Sequence, residues 1–121
     1  MSAVHNFAPG DFLIFQLEAG YALMRVLDVE QIDGDDVWHV AAYGDLFLDT
    51  DMADAAIDRH ESLRIELSHA ALTNRAFEST QVAKMRNEPL SANEIAAYEA
   101  WKHSDARTVS DRSIRLLLGW R

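Results

Sequence analysis

Apolar positions between residues 11 and 43 recur with the two-residue period of β-strands, in three runs divided by turn signals. From Phe12 to Leu17, Leu13, Phe15 and Leu17 fall on one face of the pleat and Phe12 and Ile14 on the other, which predicts a strand covered on both sides. Pro9-Gly10-Asp11 closes off whatever precedes it, because proline donates no hydrogen bond and glycine reaches dihedrals a strand does not use. Glu18-Ala19-Gly20 reads as a short reversal. A second run then sets Tyr21, Leu23, Leu27 and Val29 against Ala22, Met24, Val26 and Asp28, with Arg25 the odd charged member of the first set. Asp33-Gly34 is a hairpin signal, since both residues accept positive φ, and the flanking Gln31, Ile32 and Asp35 predict a loop longer than two residues. A third run, Asp36 to Tyr43, places Val37, His39, Ala41 and Tyr43 on one face and Trp38, Val40 and Ala42 on the other. The first third of the chain is thus an antiparallel meander.

Three twisted strands cannot bury two apolar faces alone, so either they curl into a small barrel or the rest of the chain covers them. The Gly10-Asp11 opening, the apolar strand and the bent second strand together resemble the start of SH3-like and PUA-like modules, which implies a partly open barrel. After Tyr43 the pattern changes. Thr50 is placed to cap a helix over residues 51–57, with acidic residues in its first turn where the helix dipole favours them. Leu63 to Leu67 alternates as a half-buried fourth strand, and Ser68 to Phe77 reads as a short helical turn anchored by Leu72 and Phe77. Ser91 and Glu94 stand at capping-box spacing, with Leu90 and Ile95 as a hydrophobic staple, so a helix starts there and carries Ile95, Tyr98 and Trp101 on one face. The apolar run Ser110 to Trp120 fits a short buried helix or a terminal strand, and period does not separate them. The expected fold is α+β in one domain, residues 1–121: a meander (11–43), a mixed region (44–88) and a helical C-terminal part (89–121). Its bent antiparallel sheet has four to five strands, SH3-like or barrel-like if it closes, and is covered by the C-terminal helices. The expected core is Leu13, Phe15, Leu17, Leu23, Val26, Leu27, Val37, Val40, Ile65, Ile95, Tyr98, Trp101, Leu117 and Leu118.

Length and composition narrow the class. A chain of 121 residues, 49% hydrophobic and 26% charged, supports one ordinary core with a soluble surface. The lack of cysteine excludes disulfides, thiolate metal sites and thiol nucleophiles, and points to a reducing compartment. The first apolar run, Phe12 to Leu17, is too short for a signal core or a membrane span, so a cytoplasmic protein without a membrane partner is expected. Charge is uneven. Residues 1–66 hold fourteen acidic residues against three arginines, whereas residues 67–121 hold eight basic against six acidic. An acidic protein is a poor nucleic-acid binder, because affinity for phosphates comes from lysine and arginine. A basic protein is the better partner; otherwise the charge serves solubility alone.

Candidate chemistry is sparse. Asp49, Asp51, Asp54, Asp58, His60 and Glu61 form an extended acidic run, yet residues 50–61 lack the glycine and the spaced acids of a calcium-binding loop, so no metal site is expected. His5, His39, His60, His69 and His103 show no H-E-x-x-H spacing, no serine sits in a G-x-S-x-G elbow, and the five glycines make no phosphate-cradling loop. No cofactor and no catalytic residue is therefore assigned. Arg107, Arg112, Arg115 and Arg121, near Trp101 and Trp120, either bind an anion or pair with the acidic half, within one chain or across a homodimer. Two functions remain. The leading one is a non-enzymatic binding module, in the manner of an inhibitor or immunity protein, whose acidic face of Asp49, Asp51, Asp54, Asp58 and Glu61 meets a basic protein. The other is a ligand-binding or enzymatic domain with a pocket at Arg25, Trp38, His39 and Tyr43, in which His39 acts as acid or base.

Overall fold

The computed structural model describes residues 6–120, so His5 and Arg121 lie outside the described residues. Five strands, β1 (Asp11–Leu17), β2 (Gly20–Ile32), β3 (Asp35–Tyr43), β4 (Ile65–Thr73) and β5 (Ala83–Asn87), pair antiparallel in the order β4-β3-β2-β1-β5. The described helices are α1 (Thr50–Ile57), α2 (Asn74–Glu78), α3 (Ala92–Lys102) and α4 (Ile114–Leu118). The sheet does not close: β4 and β5 are its two edges. Of the two ways to bury a two-faced meander, this chain therefore uses cover rather than a barrel. On one face Leu13, Phe15, Met24, Val26, Trp38, Val40 and Leu72 pack with Ala76 and Phe77 of α2 and Ile114 of α4. On the other, Phe12, Ile14, Leu23 and Tyr43 pack with Ala53 and Ile57 of α1, while Leu27 and Ala41 pack with Tyr98 of α3. The roof thus begins with α1, well before the C-terminal part. Among the described residues no helix is long and apolar enough to cross a membrane.

Register explains the departures from the sequence pattern. Asp33 (φ 53°) and Gly34 (φ 86°) alone make the β2–β3 turn, and Ile32 pairs with Asp35, so the loop is two residues and not longer. Positive φ at both positions gives a turn whose twist matches the flanking strands, and pairing continues to the turn itself. Pairing then runs back to Asp28 opposite His39, where a bulge leaves Leu27 without a partner before Val26 meets Val40. β4 absorbs residues 68–73, expected to be helical, because they pair with β3 as far as Val37 opposite Thr73; helix is confined to α2, capped by the Thr73 side chain. Asp49, not Thr50, caps α1, its carboxylate accepting from the Met52 N–H. β5 had no predicted counterpart beyond a possible fifth strand, since its Ala83-Lys84-Met85-Arg86-Asn87 sequence alternates weakly. Of the expected core, Ile65 is 54% exposed at the irregular start of β4 and Leu117 is 38% exposed; Ile95, Trp101 and Leu118 are half-buried. α4 resolves the 110–120 alternative as helix, but buries only Ile114, because five residues turn just one side chain fully onto the sheet.

Candidate functional site

Helix α3 organises the polar side of the sheet, and its start is fixed as the spacing predicted. Ser91 Oγ accepts from the Glu94 N–H and Glu94 Oε1 accepts from the Ser91 N–H, a reciprocal cap. The second Glu94 oxygen pairs with the fully buried Arg25. Arg25 also donates through Nε to the Gly10 carbonyl (2.9 Å) and through Nη2 to the carbonyls of Glu88 (2.7 Å) and Pro89 (3.2 Å), with its guanidinium 4.0 Å over the Phe12 ring. Burial alone would raise the Glu94 carboxyl, but the Ser91 N–H and the Arg25 charge outweigh it and hold it below the usual range. Tyr43 stacks on the same Phe12 ring at 5.9 Å and lines a cavity of about 200 Å³ with His60, Leu63 and Glu94. Arg25 and Tyr43 are therefore brought together across Phe12.

His39 lies further along this face, fully buried, and is held at both ring nitrogens: Nε2 is 2.6 Å from Glu30 Oε1 and Nδ1 is 2.9 Å from His69 Nε2. Tyr98 and Trp101 of α3 close over it at ring distances of 4.3 and 4.7 Å, and the Tyr98 hydroxyl donates to Asp28 Oδ2 at 2.5 Å. Burial pushes the His39 imidazole below its ordinary value against the pull of Glu30, and burial plus the neighbouring His39 takes His69 down to about 4. Burial, then the Asp28 carboxylate, pushes Tyr98 up. Trp38 faces away from this group, stacked on Phe77 at 3.9 Å with its indole N–H donating to Asn74 (2.9 Å). The four residues of the expected pocket thus occupy three separate surroundings. Asp28, Glu30 and His69, which complete the His39 cluster, escaped the pattern because strict alternation sends Asp28 to the Trp38 face. The bulge puts Leu27 and Asp28 on the same side, and Asp33-Gly34 is the signal that held the answer: counting back from a two-residue turn sets Asp28 opposite His39.

The acidic run lies at the surface of α1 and the turn that follows. Asp49 serves as the cap of α1, and Asp51 is exposed in its first turn. Asp54 and Asp58 share the Arg86 guanidinium at 3.5 and 2.8 Å, while Glu61 is 3.5 Å from His60. Just before α1, Phe47 pairs through its backbone with Tyr21 (2.8 and 2.9 Å) and packs against the core. In this extended stretch its neighbours must point outward, leaving Leu46 and Leu48 46% and 80% exposed, with Met52 of α1 49% exposed beside them in sequence. Among the described residues no three histidine or carboxylate side chains are grouped to hold a metal ion. Comparison with protein-family models, curated proteins and solved structures finds nothing that matches this chain.

Proposed function

We propose that this protein is a non-catalytic binding module whose contact surface is the acidic, apolar-tipped stretch from Asp45 to Glu61, and whose partner is a basic protein. The observation that carries the reading is Leu48, 80% exposed with Leu46 and Met52 close in sequence, in a stretch that carries the carboxylates Asp45, Asp49, Asp51, Asp54, Asp58 and Glu61. Burying one such side chain in a partner contributes about 1.5–3 kcal/mol, enough to anchor a contact. The surrounding acids add little affinity but steer a cationic partner and reject an anionic one. Because Asp54 and Asp58 are already shared by Arg86, the charge left to steer rests on Asp45, Asp49, Asp51 and Glu61. Two copies meeting through this stretch would set like charges against each other, so it suits a heterologous partner and not a homodimer.

The test is capture from a native lysate at low and high salt, with wild-type and Leu48→Asp proteins as bait and a thermal melt of each. The expected result is a partner carrying a basic segment, lost on Leu48→Asp and weakened by salt, from two baits of equal stability. Capture indifferent to both Leu48→Asp and salt would overturn the proposal.

A further inference from the structure

The chain of contacts Glu30–His39–His69 fixes the protons of its members and ends at a cleft. A carboxylate only accepts, so His39 Nε2 carries the hydrogen toward Glu30, and a neutral His39 then presents a bare Nδ1. The 2.9 Å contact admits one hydrogen between the two rings, so His69 donates from Nε2 and its own Nδ1 carries a free lone pair. Among the described residues that Nδ1 has no hydrogen-bond partner, and it is not sealed from solvent. His69 lines a cleft of about 350 Å³ whose other walls include Leu67, Trp101, Val109 and Leu117. One wall is pinned in place: Trp101 Nε1 donates to the Thr108 carbonyl (3.0 Å), and Ser110 bridges to β4 through Ser110 N–Ala71 O (2.7 Å) and Thr73 N–Ser110 O (2.9 Å). Thr108 and Ser110 also line it, and a mainly apolar cleft of this size with a few polar groups, one of them the unpartnered His69 Nδ1, is the form of a small-molecule site.

We infer that this cleft binds a small, uncharged aromatic molecule bearing one hydroxyl, its ring against Trp101 and its O–H donating to His69 Nδ1. Glu30 and His39 are positioning residues: they hold the His69 ring and leave its lone pair pointing away from the protein's own donors. Burial keeps both histidines uncharged at neutral pH, so an acceptor and not a cation meets the ligand. The site lies apart from the α1 surface and stands or falls independently of the protein-binding reading.

The experiment is ¹⁵N NMR of the histidine side chains in the full chain, followed by titration with 2-naphthol and with 2-methoxynaphthalene, which keeps the rings but cannot donate. Expected are Nε2–H tautomers for both His39 and His69. Saturable shifts at His69 and the Trp101 indole should follow with 2-naphthol, the methoxy compound binding about tenfold more weakly, the size of one net hydrogen bond. His69→Phe, which keeps the ring and removes the acceptor, should erase that preference while the dispersed amide spectrum reports an intact fold. An Nδ1–H tautomer at His69, equal binding of the two compounds, or no saturable shift at all would overturn the inference.

Discussion

Replacing Arg25 by methionine removes a guanidinium that is fully buried and has four partners, while keeping a side chain of similar length over Phe12. The partners are not equally affected. The Gly10 carbonyl still accepts from the Glu88 N–H (3.1 Å), and Glu94, with about a fifth of its side chain exposed, can recover water. The carbonyls of Glu88 and Pro89 lose their donor, each costing about 1–3 kcal/mol, against a small gain from an apolar replacement. The expected net loss is about 3 kcal/mol, which in a chain of 121 residues corresponds to a fall in Tm of roughly 10–15 °C. Urea unfolding followed by tryptophan fluorescence measures it, with Arg25→Lys expected between the two, since one ammonium cannot span carbonyls and carboxylate as a planar fork does. An Arg25→Met midpoint within about 1 kcal/mol of wild type would refute the reasoning and make the network a neutral exchange for apolar packing.

The pH dependence of stability follows from the two histidines. Both titrate below their ordinary value when folded and near 6.5 when unfolded, so the unfolded chain takes up protons first as pH falls. Stability should be level between about pH 7 and 9, short of tyrosine ionisation, and decline from about 6.5 toward about 4, His69 contributing up to about 3 kcal/mol, and His69→Phe should flatten the decline in a series of urea midpoints. An unchanged slope in that variant would contradict the assignment. Two of the positive-φ glycines, Gly20 and Gly34, should separate cleanly. At Gly20 (φ 148°) a Cβ would lie 2.6 Å from the Phe47 carbonyl oxygen, whereas at Gly34 it would meet nothing within 4 Å. Gly34→Ala should cost about 1 kcal/mol of backbone strain and Gly20→Ala about 2–3 kcal/mol, because the Tyr21–Phe47 bridge must also shift. Thermal melts ranking them in the reverse order would sink the account.

The parts legible in the sequence are those whose signal is local. The meander showed in its two-residue period, and the start of α3 in the Ser91-to-Glu94 spacing, where two side chains and two N–H groups satisfy one another without help from elsewhere. β5 was not legible because an edge strand needs only one apolar side: its pairing with Asp11 to Ile14 is a long-range contact that Lys84 and Arg86 do not announce. The extent of β4 was hidden for a related reason, since residues 68–73 take their conformation from β3 and not from their own period. At the candidate sites, Arg25 and His39 were legible as polar residues in apolar strands. Their partners were not, because Glu94 lies 69 residues from Arg25 in the chain and one bulged residue decides which side Asp28 takes.

β5 has a bearing on how the chain behaves in a crowded solution. It covers the outer edge of β1, whose Phe12-Leu13-Ile14-Phe15 run is the kind of uncharged, strand-prone segment that templates intermolecular sheets when bared. What fastens it there is largely polar: Asp11 accepts from Asn87 at 2.8 Å and pairs with Lys84 at 3.3 Å, and Arg25 grips the chain just beyond. Acid strong enough to protonate Asp11 and Glu94 would loosen that fastening while leaving the apolar layers intact, so self-association, more than global unfolding, is the failure this architecture invites at low pH.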